Sequence, residues 1–265
     1  MKLACIQLNS GSNKTENLAK VSEFIKEAAT HGAKFISLPE VFNFRGTKEE
    51  CIENAELMTG KSIVLLQGLA QEYKVWILNG SFFEKVEGEK LPYNTSVLIS
   101  PEGKVEAVYR KMHLFDVELK DKVIKESEKS QAGREPCIAF IQNQFKLGMS
   151  ICYDLRFPEL YRLYAKERVE LISVPSAFTK VTGLEHWHCL LKTRAIENQT
   201  YVIAANQCGA ASGVETYGHS LIVDPWGRVL IEASENKEEI IYADMNLDYL
   251  YKLRQEIPVL DHRLL

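Results

Sequence analysis

The sequence predicts an α/β protein built from two related halves whose sheets pack together. Short apolar runs of strand length alternate with stretches of helical periodicity, the order expected of α/β units. Two segments also recur in the same order. Residues 36–42 (ISLPEVF) resemble residues 172–178 (ISVPSAF), and residues 96–105 (SVLISPEGKV) resemble residues 220–229 (SLIVDPWGRV). Finally, 265 residues with 46% apolar and 26% charged content form a large core without staples.

Each element follows from local pattern. Residues 3–8 form an apolar strand, and Leu18, Val21, Phe24, Ile25 and Ala28 recur at helical spacing until Gly32. Residues 35–38 are a second buried strand, 63–73 a helix and 76–81 a third strand. Residues 95–99 and 105–109 flank Pro101-Glu102-Gly103 and read as a hairpin. The second half repeats the theme: strand 147–151, helix 158–166, strand 171–174, helix 185–197, strand 201–205, then a hairpin of 221–223 and 229–232 around Pro225-Trp226-Gly227. The polar stretch 118–133 reads as a surface loop or short helix. No linker rich in Pro, Gly or Ser divides the chain, so 1–265 is expected to be a single domain.

Charge and cysteines narrow the function classes. Thirty-two Lys and Arg against 36 Asp and Glu give a net charge of −4 with no basic tail, which argues against a nucleic-acid partner. No apolar run approaches the ~18 residues of a membrane span, so no membrane partner is expected. No glycine-rich phosphate or dinucleotide motif occurs. Six cysteines lacking a C-x-x-C pair point to a reducing, cytoplasmic setting. His186-x-His188 with Cys189 suggests a metal only weakly, because helical residues two apart face different ways. Arg194 and Glu197 read as a helix-surface or interface ion pair. A small molecule is the expected partner.

Three residues share a strand-end placement. Cys152 follows the run 146–151 and precedes a helix opened by Pro158, the logic of a nucleophile exposed on a sharp strand-to-helix turn. Glu40 follows a buried strand, where an unpaired carboxylate is expensive. Lys111 follows the strand 105–109. Taken singly, Cys152 reads more often as a core thiol than as a nucleophile, and each of the two charges more often as a solvated strand end.

Leu38-Pro39-Glu40, Tyr109-Arg110-Lys111-x-His113-Leu114 and Ile151-Cys152-Tyr153-Asp154-x-Arg156-Phe157-Pro158-Glu159-Leu160 resemble the three signatures of the nitrilase superfamily of carbon-nitrogen hydrolases, in matching order. The resemblance implies a four-layer α-β-β-α sandwich of two pseudo-symmetric halves. It also implies Glu40 as general base, Lys111 as the cation beside a tetrahedral intermediate and Cys152 as nucleophile. Glu126 would orient Lys111, and the Tyr153 N–H would help bind the oxyanion. The implied chemistry passes through a thioester and calls for no metal or organic cofactor. A homodimer or higher homo-oligomer is implied too, with residues 248–265 placed to reach the partner.

Further segments, including Pro175-Ser176-Ala177-Phe178, Thr182-Gly183, His186-Trp187 and Gln207-Cys208-Gly209, resemble the family's amidases of small carboxylate-bearing substrates more than its nitrilases. Phe178, Thr182, His186 and Cys208 become candidate substrate neighbours. Arg156 suits a substrate carboxylate through its guanidinium fork, or else pairs with Asp154 or Glu159. Residues 210–216 carry no basic side chain, a departure from some relatives that leaves substrate identity open. A binding protein that keeps the fold without activity is the alternative from another class.

Overall fold

Strand β1 (Lys2–Gln7) opens the chain and hands over to helix α1 (Lys14–Thr30), whose first turn is capped by the Asn13 side chain. Strand β2 (Phe35–Ser37), helix α2 (Lys48–Glu53), helix α3 (Lys61–Tyr73) and strands β3 (Trp76–Leu78), β4 (Phe82–Glu84), β5 (Tyr93–Ile99) and β6 (Val105–Arg110) complete the first half. An antiparallel pair, β7 (Asp116–Leu119) and β8 (Lys122–Lys125), leads to β9 (Cys137–Ile141) and β10 (Phe145–Met149). Then come α4 (Pro158–Lys166), β11 (Leu171–Ser173), α5 (Lys180–Asn198), β12 (Tyr201–Ala204), the short pair β13 (Ala210–Ala211) and β14 (Val214–Glu215), and β15 (Leu221–Val223). Strands β16 (Val229–Glu232) and β17 (Glu239–Asp244) and helix α6 (Leu247–Glu256) close the chain. This computed structural model describes residues 1–119, 122–141 and 144–264.

The repeated segments occupy matching positions in two sheets. In the first sheet, β1, β2 and β3 run parallel, β17 lies antiparallel on β1, and β5 with β6 continues antiparallel beyond β3. In the second, β10, β11 and β12 run parallel, β9 lies antiparallel on β10, and β15 with β16 continues beyond β12. Both hairpins carry a register shift near the end of their first strand, at Leu98/Ile99 and at Ile222/Val223. Both turns close alike: Gly103 N–H donates to the Ser100 carbonyl, and Gly227 N–H to that of Asp224.

Strand alternation explains the layers. Ala4, Ile6, Ile36 and Ile77 pack with Val21 and Ile25 of α1 and Leu66 and Ala70 of α3. Their neighbours Leu3, Cys5, Phe35 and Leu78 belong instead to a core that continues through the second sheet into Tyr161 and Tyr164 of α4 and Trp187 and Leu191 of α5. The result is helix, sheet, sheet, helix, the predicted four-layer sandwich. Among the described residues no helix is long and apolar enough to cross a membrane.

Several boundaries move. The expected strand 76–81 stops at Leu78, and the helix expected at 185–197 runs from Lys180 to Asn198. The stretch 118–133, expected as surface loop or short helix, contributes strands of the β7–β8 pair and a 3-10 turn at Glu126–Glu128. Its residues 120 and 121 lie outside the described residues, as does Leu265 of the segment expected at a dimer contact.

Candidate active site

Glu40 is held on a tight turn after β2. Val41 adopts a left-handed φ of 51°, unusual for a β-branched residue, and donates its N–H to the Ser81 hydroxyl at 2.9 Å. Gly80 makes this possible, because a Cβ there would lie 2.0 Å from the Pro39 carbonyl oxygen. The Gln207 side chain clamps the turn from the other half by donating to the Glu40 carbonyl at 2.9 Å.

Cys152 sits on the predicted sharp turn, with φ 47°. Strand β10 ends three residues earlier than the cysteine, and a 3-10 turn from Cys152 to Arg156 intervenes before α4. The Cys152 N–H donates to the Pro175 carbonyl at 2.9 Å. Asp154, fully buried, fastens the turn by accepting from the Ile151 N–H at 2.8 Å, the Tyr109 hydroxyl at 2.7 Å and the His113 N–H at 3.0 Å. Arg194 braces it from α5 through the Leu155 carbonyl at 2.8 Å. The Arg194–Glu197 pair does form, at 2.8 Å, but Arg194 is buried rather than on a helix surface.

Lys111 connects the two turns. Its Nζ donates to Glu40 Oε1 at 2.9 Å and to Glu126 Oε2 at 2.7 Å, while the Asn94 amide donates to the same Glu40 oxygen at 2.8 Å and to Glu126 Oε1 at 3.1 Å. The Ala177 N–H donates to Glu40 Oε2 at 2.8 Å, and the Phe115 N–H to Glu126 Oε2 at 2.7 Å. Glu40, Lys111 and Cys152 are 5%, 2% and 9% exposed, and the charges of Glu40 and Lys111 survive there only because each is paired and hydrogen-bonded.

Electrostatics fix the resting protonation. Burial alone would raise the Glu40 carboxyl, but the Lys111 charge, hydrogen bonds from Lys111 and the Cys152 thiol, and the Ala177 N–H hold it below the ordinary value of 4.5. Burial works against the Lys111 ammonium, yet Glu126, Glu40 and Cys152 push it well above its ordinary range. Burial, then the Glu40 charge, pushes the Cys152 thiol well above 9.0 despite the opposing pull of Lys111. The cluster therefore rests as carboxylate, ammonium and neutral thiol.

These groups line one cavity of about 470 Å³ at the strand ends. Tyr153, Arg156, Phe178 and Thr182 line it as well, together with Arg45, Val123, Ile124, Ala211 and Val214. His186 is exposed outside the lining, although its Nδ1 lies 3.2 Å from the Arg156 guanidinium. Cys208 is fully buried beside β1, its N–H bonded to the Leu8 carbonyl, and does not reach the cavity. Arg156 lies over the Tyr153 and Phe178 rings rather than pairing with Asp154, whose oxygens are taken by other donors, or with exposed Glu159. His188 Nε2 and His219 Nδ1 reach Glu232 Oε1 at 3.0 and 2.6 Å, a group outside the cavity whose donor spacing would suit a divalent ion.

Over residues 2–255 the sequence matches the carbon-nitrogen hydrolase family. The chain belongs to that family. The hydrolase is 43% identical to a deaminated glutathione amidase of Synechocystis sp., across 98% of this chain and 97% of that protein. It is 39% identical to the omega-amidase NIT2 of Homo sapiens, across 97% and 93% of the two chains. Its fold matches the crystal structure of Saccharomyces cerevisiae Nit3, a member of branch 10 of the nitrilase superfamily, with a TM-score of 0.88 at 34% identity, covering 97% of this chain and 94% of that one.

Sequence motifs did not single out Asn94, the Ala177 N–H, Arg45 or the role of Asp154. Asn94 left one usable signal: it begins the polar run Asn94-Thr95-Ser96 that leads straight into apolar Val97-Leu98-Ile99, where polar side chains need buried partners.

Proposed function

We propose that this hydrolase is a cysteine-dependent amidase whose substrate is deaminated glutathione, cleaved to 2-oxoglutarate and cysteinylglycine. The observation that carries the mechanism is the shared hydrogen-bonded cluster of the Cys152 thiol, Glu40 and Lys111 at the cavity wall. A thiolate formed by loss of a proton to solvent would add a second uncompensated negative charge beside Glu40 and Glu126. Moving that proton onto Glu40 leaves the charge of the cluster unchanged. Glu40 thus acts as the base at the instant of attack.

Sulfur attacks the amide carbon as Glu40 takes the thiol proton. The developing oxyanion is stabilised by the Lys111 charge and by the Tyr153 N–H, which lies in the first turn of the 3-10 helix where backbone donors lack helical partners. Glu40 then gives its proton to the departing nitrogen, and the C–N bond breaks to leave a thioester. Water enters, Glu40 takes one of its protons, and the resulting hydroxide attacks the thioester carbonyl. Collapse releases the acid, and the thiol regains its proton from Glu40. Glu126 holds Lys111 in place, and Arg156 offers its guanidinium to a carboxylate at the cavity mouth.

The 43% identity to a deaminated glutathione amidase supports this substrate over the omega-amidase substrate 2-oxoglutaramate, which presents the same acyl half with ammonia as leaving group. A panel of deaminated glutathione, 2-oxoglutaramate, simple amides and nitriles tests it. The highest kcat/KM is expected for deaminated glutathione. Equal efficiency on the first two would overturn the substrate assignment.

A further inference from the structure

Arg45 stands out among the residues lining the cavity. It is 8% exposed, its Nη1 is buried without a hydrogen-bond partner, and among the described residues its guanidinium makes no ion pair. A buried cation normally finds a carboxylate. The lining carboxylates are already committed: Glu40 to Lys111, Asn94 and the Ala177 N–H, Glu126 to Lys111 and the Phe115 N–H, and Glu128 to Lys48. Glu50, one turn away on α2, caps that helix through the Thr47 N–H.

The arginine is also well positioned. It lies in the loop two residues beyond the Glu40 turn, with its N–H bonded to the Gly11 carbonyl at 3.0 Å, and buried Phe44 precedes it. Residues 210–216 border the same cavity through Ala211, Ser212 and Val214 and bring no cation of their own. Burial lowers the Arg45 guanidinium to about 10, with Glu40 close enough to oppose that shift, so it remains charged at neutral pH.

We infer that Arg45 is the anion-binding residue for the acyl half of the substrate, taking the terminal carboxylate of a dicarboxylic acid monoamide. This rests on the amidase reading above. The acyl half stays attached to Cys152 after the first product has gone, so its recognition group belongs in the enclosed part of the cavity. The leaving group must exit, which suits the more exposed Arg156 for any carboxylate it carries. A guanidinium fork matches a carboxylate in two hydrogen bonds, and the buried unpaired charge is neutralised only when such an acyl group is seated.

The test compares wild type with Arg45→Gln and Arg45→Lys on glutaramate and 2-oxoglutaramate against butyramide. Protection of Cys152 from iodoacetamide by glutarate, read by peptide mass spectrometry, is the second measurement. The ratio of kcat/KM for carboxylated over neutral amides is expected to fall about ten- to hundredfold in Arg45→Gln, the range for a hydrogen bond to a charged group, with partial recovery in Arg45→Lys. Glutarate is expected to protect wild type and to lose that protection in Arg45→Gln. The melting temperature should hold or rise, since the cation has no partner to lose. An unchanged ratio with retained glutarate protection overturns the inference, as does a fall in stability with equal losses on both amide classes. If wild type prefers neutral amides, the proposed substrate fails, while glutarate protection still reads the Arg45 subsite. Should the Gln variant not fold, the Lys variant carries both measurements.

Discussion

The turns after β2 and after β11 began from the same pattern and now do different work. After β2, Pro39-Glu40-Val41-Phe42 puts a carboxylate into the cavity and strains Val41 to a φ of 51°. After β11, Pro175-Ser176-Ala177-Phe178 offers backbone instead: the Pro175 carbonyl accepts from Cys152, and the Ala177 N–H donates to Glu40. One copy supplies the carboxylate that the proposed mechanism uses as its base, and its counterpart supplies fixed dipoles that orient both that side chain and the thiol turn. The two sheets thus set two equivalent strand ends facing each other, and the Glu40/Ser176 difference decides which of them carries a carboxylate.

The largest effect is expected from breaking the chemical copy. Glu40→Gln and Cys152→Ala should each lower kcat/KM by at least about 10⁴-fold, the scale seen when a nucleophile or its base is removed. The matching change in the supporting copy, Ser176→Ala, should cost about 1 kcal/mol of stability through its lost bond to the Val174 carbonyl and leave Cys152 labelling by iodoacetamide in place. Amide hydrolysis and urea unfolding on the three variants check this.

Removing the bridge comes next. Lys111→Ala leaves Glu40 and Glu126 buried beside each other without their cation, and should lower unfolding stability by about 3–5 kcal/mol in urea. The sign with pH follows. Because Glu40 is depressed in the folded protein, its contribution to stability is present above the unfolded carboxyl value and is lost as pH falls through the lower folded value. The acid limb of kcat/KM should therefore lie below pH 4.5. Because Lys111 is raised, its contribution is full below 10.5 and is lost only as pH rises through its higher folded value. Alkylation of Cys152 should not show the rise near pH 8.5 that an ordinary thiol gives. Stopped assays and alkylation rates from about pH 3 to 9 read the Glu40 limb and the Cys152 profile, and urea unfolding carried above pH 10.5 reads the Lys111 limb.

The smallest expected effect sharpens the contrast in backbone. Val41→Gly relieves left-handed strain of about 1–2 kcal/mol while losing a packed side chain and gaining unfolded entropy, so the net stability change should stay within about 1 kcal/mol. Ala177, with no positive φ to relieve, should lose roughly 0.5–1 kcal/mol as Ala177→Gly. Thermal melts of the pair decide whether only the chemical copy is strained.

Much of this was readable in the chain. The recurrence of residues 36–42 and 96–105 anticipated two matching sheets, and three strand-end motifs named Glu40, Lys111 and Cys152. Contacts between distant segments were not readable, because local pattern is silent about them. Asn94 reaches Glu40 across 54 positions and the Ala177 N–H across 137. Strand β17 has no half-repeat to announce it, and it becomes an edge only by pairing with β1 at the other end of the chain. Composition marked residues 118–133 as polar, yet Glu126 is buried there because Lys111 and the Phe115 N–H replace its water. Arg45 looked like one charge among many until burial and lack of a partner distinguished it.

The central claim is that Glu40, on the chemical copy of the repeated turn, activates Cys152 for acyl transfer. Rapid quenching of the enzyme with deaminated glutathione, followed by peptide mass spectrometry, tests it most directly. The expected result is a burst of cysteinylglycine stoichiometric with enzyme and a 2-oxoglutaryl adduct on Cys152, both abolished in Glu40→Gln. Turnover without an adduct, an adduct on another cysteine, or an undiminished burst in Glu40→Gln would contradict the account.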